Sequence, residues 1–311
     1  MTLMRRLFSI AAWFFLALAP LLSSVGMAAD GTLRYHSEPE ITGWLKSLPL
    51  RNPSLVQYRS IGTSNQGRDL GLVTLTTGPV QLGTPKPAII INATHHGDEK
   101  IATESALHFI ETLIVDQDKP EVTAMLSRFV FYVQPLVNPD GHAGGTRADA
   151  AHRDINRDYS YPLRSDRLSF KTREARAVRD LIDSLDVGAA IALHSGTDGV
   201  LWPWCFTKEA PPDAPFLERL AWRTARSIGT VARQSHHDYP SSGEFSDFVY
   251  WRQQAPALTI EVDRRRQPHP SQINTISART TRGIFEFMNE FMKAGDAPVT
   301  LSKENNLRRA I

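Results

Sequence analysis

Residues 92 to 102 read NATHHGDEKIA, which sets His95 and His96 against Asp98 and Glu99 across a single glycine. An imidazole and a carboxylate three residues apart at a turn can face one cation, and both His96 with Glu99 and His95 with Asp98 have that spacing. Two histidines and one glutamate make a known catalytic zinc set that leaves a fourth position for water. The second histidine must come from elsewhere, and His194, which closes the apolar run AAIAL, is the best placed. Glu261 closes another such run, PALTI, where its apolar neighbours predict burial. A buried acid without a partner is costly enough that it normally has a chemical task; the alternative here is an ion pair with Arg264 or Arg265 at a strand edge.

The elements that position these groups follow from hydrophobic pattern. PAIIINAT, RFVFYVQPLVN, VGAAIALHS and APALTIEV are short, almost wholly apolar runs, as expected of strands covered on both faces. Between them the spacing predicts helices over TESALHFIETLIV, TREARAVRDLIDSL, APFLERLAWRTARSIG and ARTTRGIFEFMNEFMKAG. An earlier helix is predicted over EPEITGWLKSLPL, with Ile41, Trp44, Leu45 and Leu48 on one face. LVQYRSIGTS and LGLVTLTTG read as a strand pair around NQGRD, and LWPWCF as a further strand. Strands alternating with helices give an α/β sandwich. In open α/β sheets ligands bind beyond the carboxyl ends of the strands, which is where His95, His96, Glu99, His194 and Glu261 fall.

Composition narrows the class. Residues 1–29 combine a basic start (MTLMRR), an apolar run and the small residues GMAA, the pattern of a secretory signal; the alternative is an uncleaved membrane anchor. Cleavage would remove Arg5 and Arg6 and no acid, taking the basic residues from 35 to 33 against 33 acidic ones. A neutral chain without a long basic run excludes an electrostatic case for nucleic acid. The single cysteine, Cys205, excludes an internal disulfide. With no repeat and no long linker, residues 30–296 are expected to form one domain, followed by a polar tail at 297–311. The expected location is exported, periplasmic or secreted, with no membrane association once the signal is removed.

Specificity comes from motifs in order. YHSEPEITGWLKSLPL through LTTG, His96-x-x-Glu99, NPDG at 138–141, DINR at 154–157, LHS at 193–195, YPSSGEFSDF at 239–248 and TIEV at 259–262 occur in the sequence and rough spacing of the zinc metallocarboxypeptidases. From about residue 35 to 293 the chain resembles that family, as an exported bacterial member. The resemblance implies a three-layer α/β/α sandwich around a central mixed, mostly parallel twisted sheet. It also implies a peptide-bond hydrolase with one Zn2+ per chain, held by His96, Glu99 and His194, with His95 in a neighbouring role. Asp154 would accept the far ring N–H of a ligand histidine, fixing its tautomer. Asn156 and Arg157 would grip the free C-terminal carboxylate of a peptide substrate, since a guanidinium fork holds a carboxylate with charge-assisted bonds. Arg147 would polarise the scissile carbonyl, with Arg153 as its rival. Tyr239 would close over bound substrate. Glu261 would take a proton from water and deliver it to the leaving amine. Ser241, Glu244 and Ser246 would meet the terminal side chain, with Glu244 turned either to an amine-bearing residue or to solvent.

Other activities fit parts of the pattern. A zinc deacylase of small N-acyl amino acids, like succinylglutamate desuccinylase, would share His96-x-x-Glu99 and DINR, but NPDG followed by YPSSGEFSD favours a peptidase. A carboxypeptidase confined to peptidoglycan peptides and a metal-binding protein without catalysis also remain. No room is expected for an inhibitory pro-domain, and a monomer is expected. His108 and Cys205 read as structural, His236 and His237 as packed or as part of a substrate pocket, and DRRRQ as solvated or ion-paired charge.

Overall fold

The computed structural model describes residues 33–78 and 86–295; the leader at 1–29 and the tail at 297–311 lie outside the described residues. Helix α1 (Glu38–Arg51) begins where the Ser37 amide and hydroxyl both donate to Glu40 Oε2, at 2.9 and 2.6 Å. That contact satisfies groups a helix start leaves unpaired. Ile41, Leu45 and Leu48 are buried and Trp44 packs beside them, as their spacing predicts.

The chain continues into the antiparallel hairpin β1 (Val56–Thr63) and β2 (Asp69–Leu75). The strands β3 (Ala88–Ala93), β4 (Val130–Gln134), β5 (Val187–His194) and β8 (Ala257–Glu261) show no polar alternation, because helices cover both of their faces. Two short strands, β6 (Gly199–Trp202) and β7 (Ala232–Gln234), finish one edge. The sheet order is β1-β2-β4-β3-β5-β8-β6-β7. Its centre, β4-β3-β5-β8, is parallel, as is β6 with β7, and the other pairings are antiparallel.

The remaining helices are α2 (Lys100–Val115), α3 (Pro120–Arg128), α4 (Pro139–Gly144), α5 (Arg173–Asp183), α6 (Ala214–Ile228), α7 (Ser235–Asp238), α8 (Phe245–Gln253) and α9 (Ile273–Gly295). On one side α2 and α6 pack against α9, and α2 also lies on β3 and β5; α8 on β5 and β8, with α5 on β1, forms the third layer. Three departures from the sequence pattern have local causes. The run RFVFYVQPLVN leaves the sheet after Gln134 and LWPWCF after Trp202, because Pro135 and Pro203 have no N–H for the ladder. Helix α9 starts five residues before its predicted run, because Ile273 and Ile276 extend its buried face. Helix α3 and strand β7 had no pattern long enough to identify.

Candidate metal centre and active site

Strands β3, β5 and β8 are neighbours, and the register sets Ala93 opposite Leu193 and His194 opposite Glu261. The three polar clusters therefore emerge side by side. Just past β3, Thr94 adopts φ 60° and its hydroxyl lies 2.6 Å from that of Thr103. This turn separates the two adjacent histidines. His96 lines the cavity beyond the strand ends, whereas His95 is wholly buried behind it, its Nε2 3.0 Å from the Tyr159 hydroxyl and its ring stacked on that of His194. Asp98 turns away to Arg266 at 2.6 Å, so the alternative pair of His95 with Asp98 does not form.

The loop is held by a second motif. Asn138, at the head of NPDG, donates from Nδ2 to the carbonyls of His95 (3.2 Å) and Arg147 (3.1 Å) and accepts from Gly141 N. Gly97 N in turn donates to Arg147 O at 3.2 Å. A Cβ on Gly97 would lie 2.1 Å from the carbonyl carbon of Gly141 and 2.3 Å from His142 N. Only glycine lets these backbones approach so closely. Gly97→Ala is expected to cost about 2 to 4 kcal/mol of stability, the upper range for single substitutions, and to weaken metal uptake; an unchanged Tm and unchanged zinc content would refute it.

His96, Glu99 and His194 offer ligand atoms that all lie within 4.8 Å of one another, and all three residues are buried. Glu99 sits between the rings: Oε1 is 2.7 Å from His96 Nδ1, and Oε2 is 3.0 Å from His194 Nδ1 and accepts from Ser195 N at 3.1 Å. The far nitrogen of His96 meets Asp154 Oδ1 at 3.2 Å, and Asp154 accepts from Arg147 Nε and Nη2 at 3.1 and 2.9 Å. Burial pulls the His96 pKa down, but Glu99 and Asp154 outweigh it and push it up to about 9. For Glu99 burial acts upward, yet the two imidazoles hold its carboxyl well below the usual range.

Glu261 stands over the same space, half-buried, with Oε2 enclosed and without a hydrogen-bond partner among the described residues. Burial, and then repulsion from Glu99, push its carboxyl up to about 8. Arg264 and Arg265 do not neutralise it, since they pair with Asp198 and Asp263. Three carboxyl groups, those of Glu99, Asp154 and Glu261, thus converge with neutralisable imidazoles on one arginine. A dication bound by two nitrogens and one oxygen fits that imbalance and that donor set.

These groups line a cavity of about 620 Å3 together with Asn156, Arg157, Tyr239 and Glu244. Arg147 reaches into it, with Nη1 3.7 Å from Glu99 Oε1. Arg153 is outside it, exposed and donating to Lys171 O. Asn156 Oδ1 accepts from Phe245 N at 2.9 Å, which leaves its amide N–H groups for a ligand. Arg157 Nη1 donates to Asn156 O (2.7 Å) and to Glu244 Oε1 (3.2 Å). Glu244 is therefore turned inward, not to solvent. Tyr239 is 68% exposed at the rim. Cys205, expected as inert core, is buried but also lines the cavity, its thiol 3.2 Å from Tyr239 O and from Ser241 Oγ. His236 instead bonds Cys205 O, neither His236 nor His237 lines the cavity, and His108 packs against Thr281. Sequence reasoning assigned no task to Asn138 or Tyr159; NPDG was visible as a motif, but its role as a strut needed the folded contacts.

A three-layer α/β scaffold with a buried His–Glu–His cluster at its parallel strand ends defines a class of protein with a candidate metal site facing a cavity. Residues 41–283 match the family profile described as zinc carboxypeptidase, and the chain belongs to that family. Among relatives, it is 27% identical to zinc carboxypeptidase A 1 of Anopheles gambiae over 73% of this chain and 60% of that protein. It is also 27% identical to carboxypeptidase B of Astacus astacus, over 63% of this chain and 73% of the crayfish protein. The chain thus spans less than two thirds of the mosquito protein. The fold is similar to that of the carboxypeptidase A from Helicoverpa armigera, with a TM-score of 0.75 at 21% identity over 85% of this chain and 75% of that one.

Proposed function

We propose that the protein is a zinc-dependent carboxypeptidase that removes the C-terminal residue of peptides. The observation that carries this is the sharing of one cavity by the His96–Glu99–His194 cluster, the unpartnered carboxyl of Glu261 and the Asn156–Arg157 pair. His96, Glu99 and His194 would hold one Zn2+, whose Lewis acidity polarises a carbonyl and makes water a better acid. Asp154 fixes the His96 ring by accepting at its far nitrogen. Glu261 receives the water proton on Oε2 and returns it to the leaving amine. A carboxyl held near 8 by burial and Glu99 is lowered toward the working pH once positive charge sits among the ligands, and proton transfer is most effective when pKa and pH are close. Arg147, anchored on Asp154, presents its charge to the developing oxyanion.

Arg157 and the Asn156 amide bind the terminal carboxylate, Tyr239 closes the rim, and Glu244 meets the terminal residue. C-terminal amidation of a peptide is expected to lower kcat/KM at least about 100-fold, because two charge-assisted contacts of roughly 1.5 to 3 kcal/mol each are lost. Paired assays of free and amidated peptides check this, and equal cleavage would point to an endopeptidase or a deacylase. The basic start, apolar run and small-residue site at 1–29 support export to the periplasm or beyond. Among the described residues no helix is long and apolar enough to cross a membrane.

A further inference from the structure

Arg157 is already engaged by a carboxylate of the protein itself. Its Nη1 lies 3.2 Å from Glu244 Oε1, the same oxygen that accepts the Ser241 hydroxyl at 2.7 Å. Both partners face the cavity, and the Glu244 side chain is only 14% exposed against 28% for Arg157. The other arginines lining the cavity are also engaged, Arg147 by Asp154 and Arg266 by Asp98, and Asp238 is held by Arg233. A ligand carboxylate arriving at Arg157 therefore finds no uncompensated cation near it. It must share the guanidinium with Glu244 or displace it, and either way one carboxylate is left in excess in a recessed site.

We infer that Glu244 is an internal competitor for the carboxylate-binding arginine, and that the cavity consequently selects terminal residues whose side chain carries an ammonium group. Such a residue restores the balance: its carboxylate takes Arg157 while its ammonium takes Glu244. A neutral terminal side chain of the same length leaves Glu244 repelling the bound carboxylate, with weaker screening than in open water. Lysine and norleucine separate the two cases, because they share the unbranched four-carbon stem and differ in the ammonium. The competition predicts more than a preference for lysine. It predicts that neutralising Glu244 improves the norleucine ligand, a gain that an acid serving only as an ammonium receptor would not give.

This inference rests on the carboxypeptidase proposal, so its test includes a measurement that needs no turnover. In the zinc-loaded full chain, Kd for free lysine and free norleucine is measured by calorimetry, and KM and kcat for two peptides differing only in that terminal residue. The wild type is expected to favour lysine about tenfold or more in both Kd and KM. Glu244→Gln, which keeps the shape and can still accept from Ser241, is expected to bind norleucine about tenfold more tightly and lysine more weakly, so that the preference disappears or inverts, with the change in KM and not in kcat. Binding that follows this pattern without any cleavage would retain the inference and overturn the proposed reaction. Cleavage with equal use of both residues, or a Glu244→Gln variant in which lysine weakens while norleucine stays unchanged, would overturn the competition and leave the reaction standing.

Discussion

Glu261→Gln is expected to lower kcat by about 10² to 10⁴-fold, the range a positioned acid–base group contributes, while the protein keeps its zinc. The amide matches the carboxyl in shape and cannot accept a proton at working pH. Because Glu261 Oε2 has no partner among the described residues, the substitution breaks no hydrogen bond there. The loss should therefore be one of chemistry and not of folding. The pH profile gives an independent check. In the proposed mechanism the ionised carboxyl is the base, so wild-type kcat/KM should fall as pH drops through the Glu261 pKa. That pKa is about 8 with the cluster free of cation and lower with positive charge among the ligands. The acid limb should vanish in the glutamine variant. Full activity of Glu261→Gln, with zinc content measured on the same sample, would remove Glu261 as the base.

Glu99→Ala is expected to reduce zinc affinity by more than the 10 to 100-fold that loss of an outer partner of a metal ligand costs, and activity with it. Glu99 is the one anion placed between the two imidazoles, and it also accepts from Ser195 N. Zinc content after dialysis is the measurement, and an unchanged value would remove Glu99 from the ligand set. The same cluster fixes a proton count. With the His96 pKa pushed up to about 9 and that of Glu261 to about 8, both groups carry protons at pH 7 in the zinc-free protein. Both are raised, so the stability they contribute is present below their unfolded values and is lost as pH rises through 9 and 8. Binding zinc must expel the His96 proton, because the metal takes neutral imidazole. Affinity should then rise by a factor of about ten per pH unit for each proton released, between about tenfold and a hundredfold per unit near pH 7 with between one and two protons released, and flatten above about pH 9. Calorimetry in buffers of different ionisation enthalpy counts them, and zero release would contradict the arrangement.

How much of this was legible beforehand depends on the range of the interaction. The apolar runs that became β3, β5 and β8, the spacing of Ile41, Leu45 and Leu48, and the place of His96-x-x-Glu99 after a strand are properties of a few consecutive residues. They report local backbone preference and one-sided burial, so the order of motifs sufficed to indicate the family. The choice between His96 with Glu99 and His95 with Asp98 was different, since both pairs have the same spacing and only the family resemblance favoured the first; the Thr94 turn and the Asp98–Arg266 contact supply its physical reason. His194 meets Glu99 across 95 residues and Glu244 meets Arg157 across 87. Those meetings depend on β5 lying between β3 and β8 and on α8 packing beside them. Sheet order is set by the burial of whole faces against helices, a sum over the domain that no short window of sequence contains. Hence the chemical groups could be named from the chain and grouped by its resemblance to a family, whereas the contacts that bring them together, and the occupation of Arg157 by Glu244, came only with the tertiary structure.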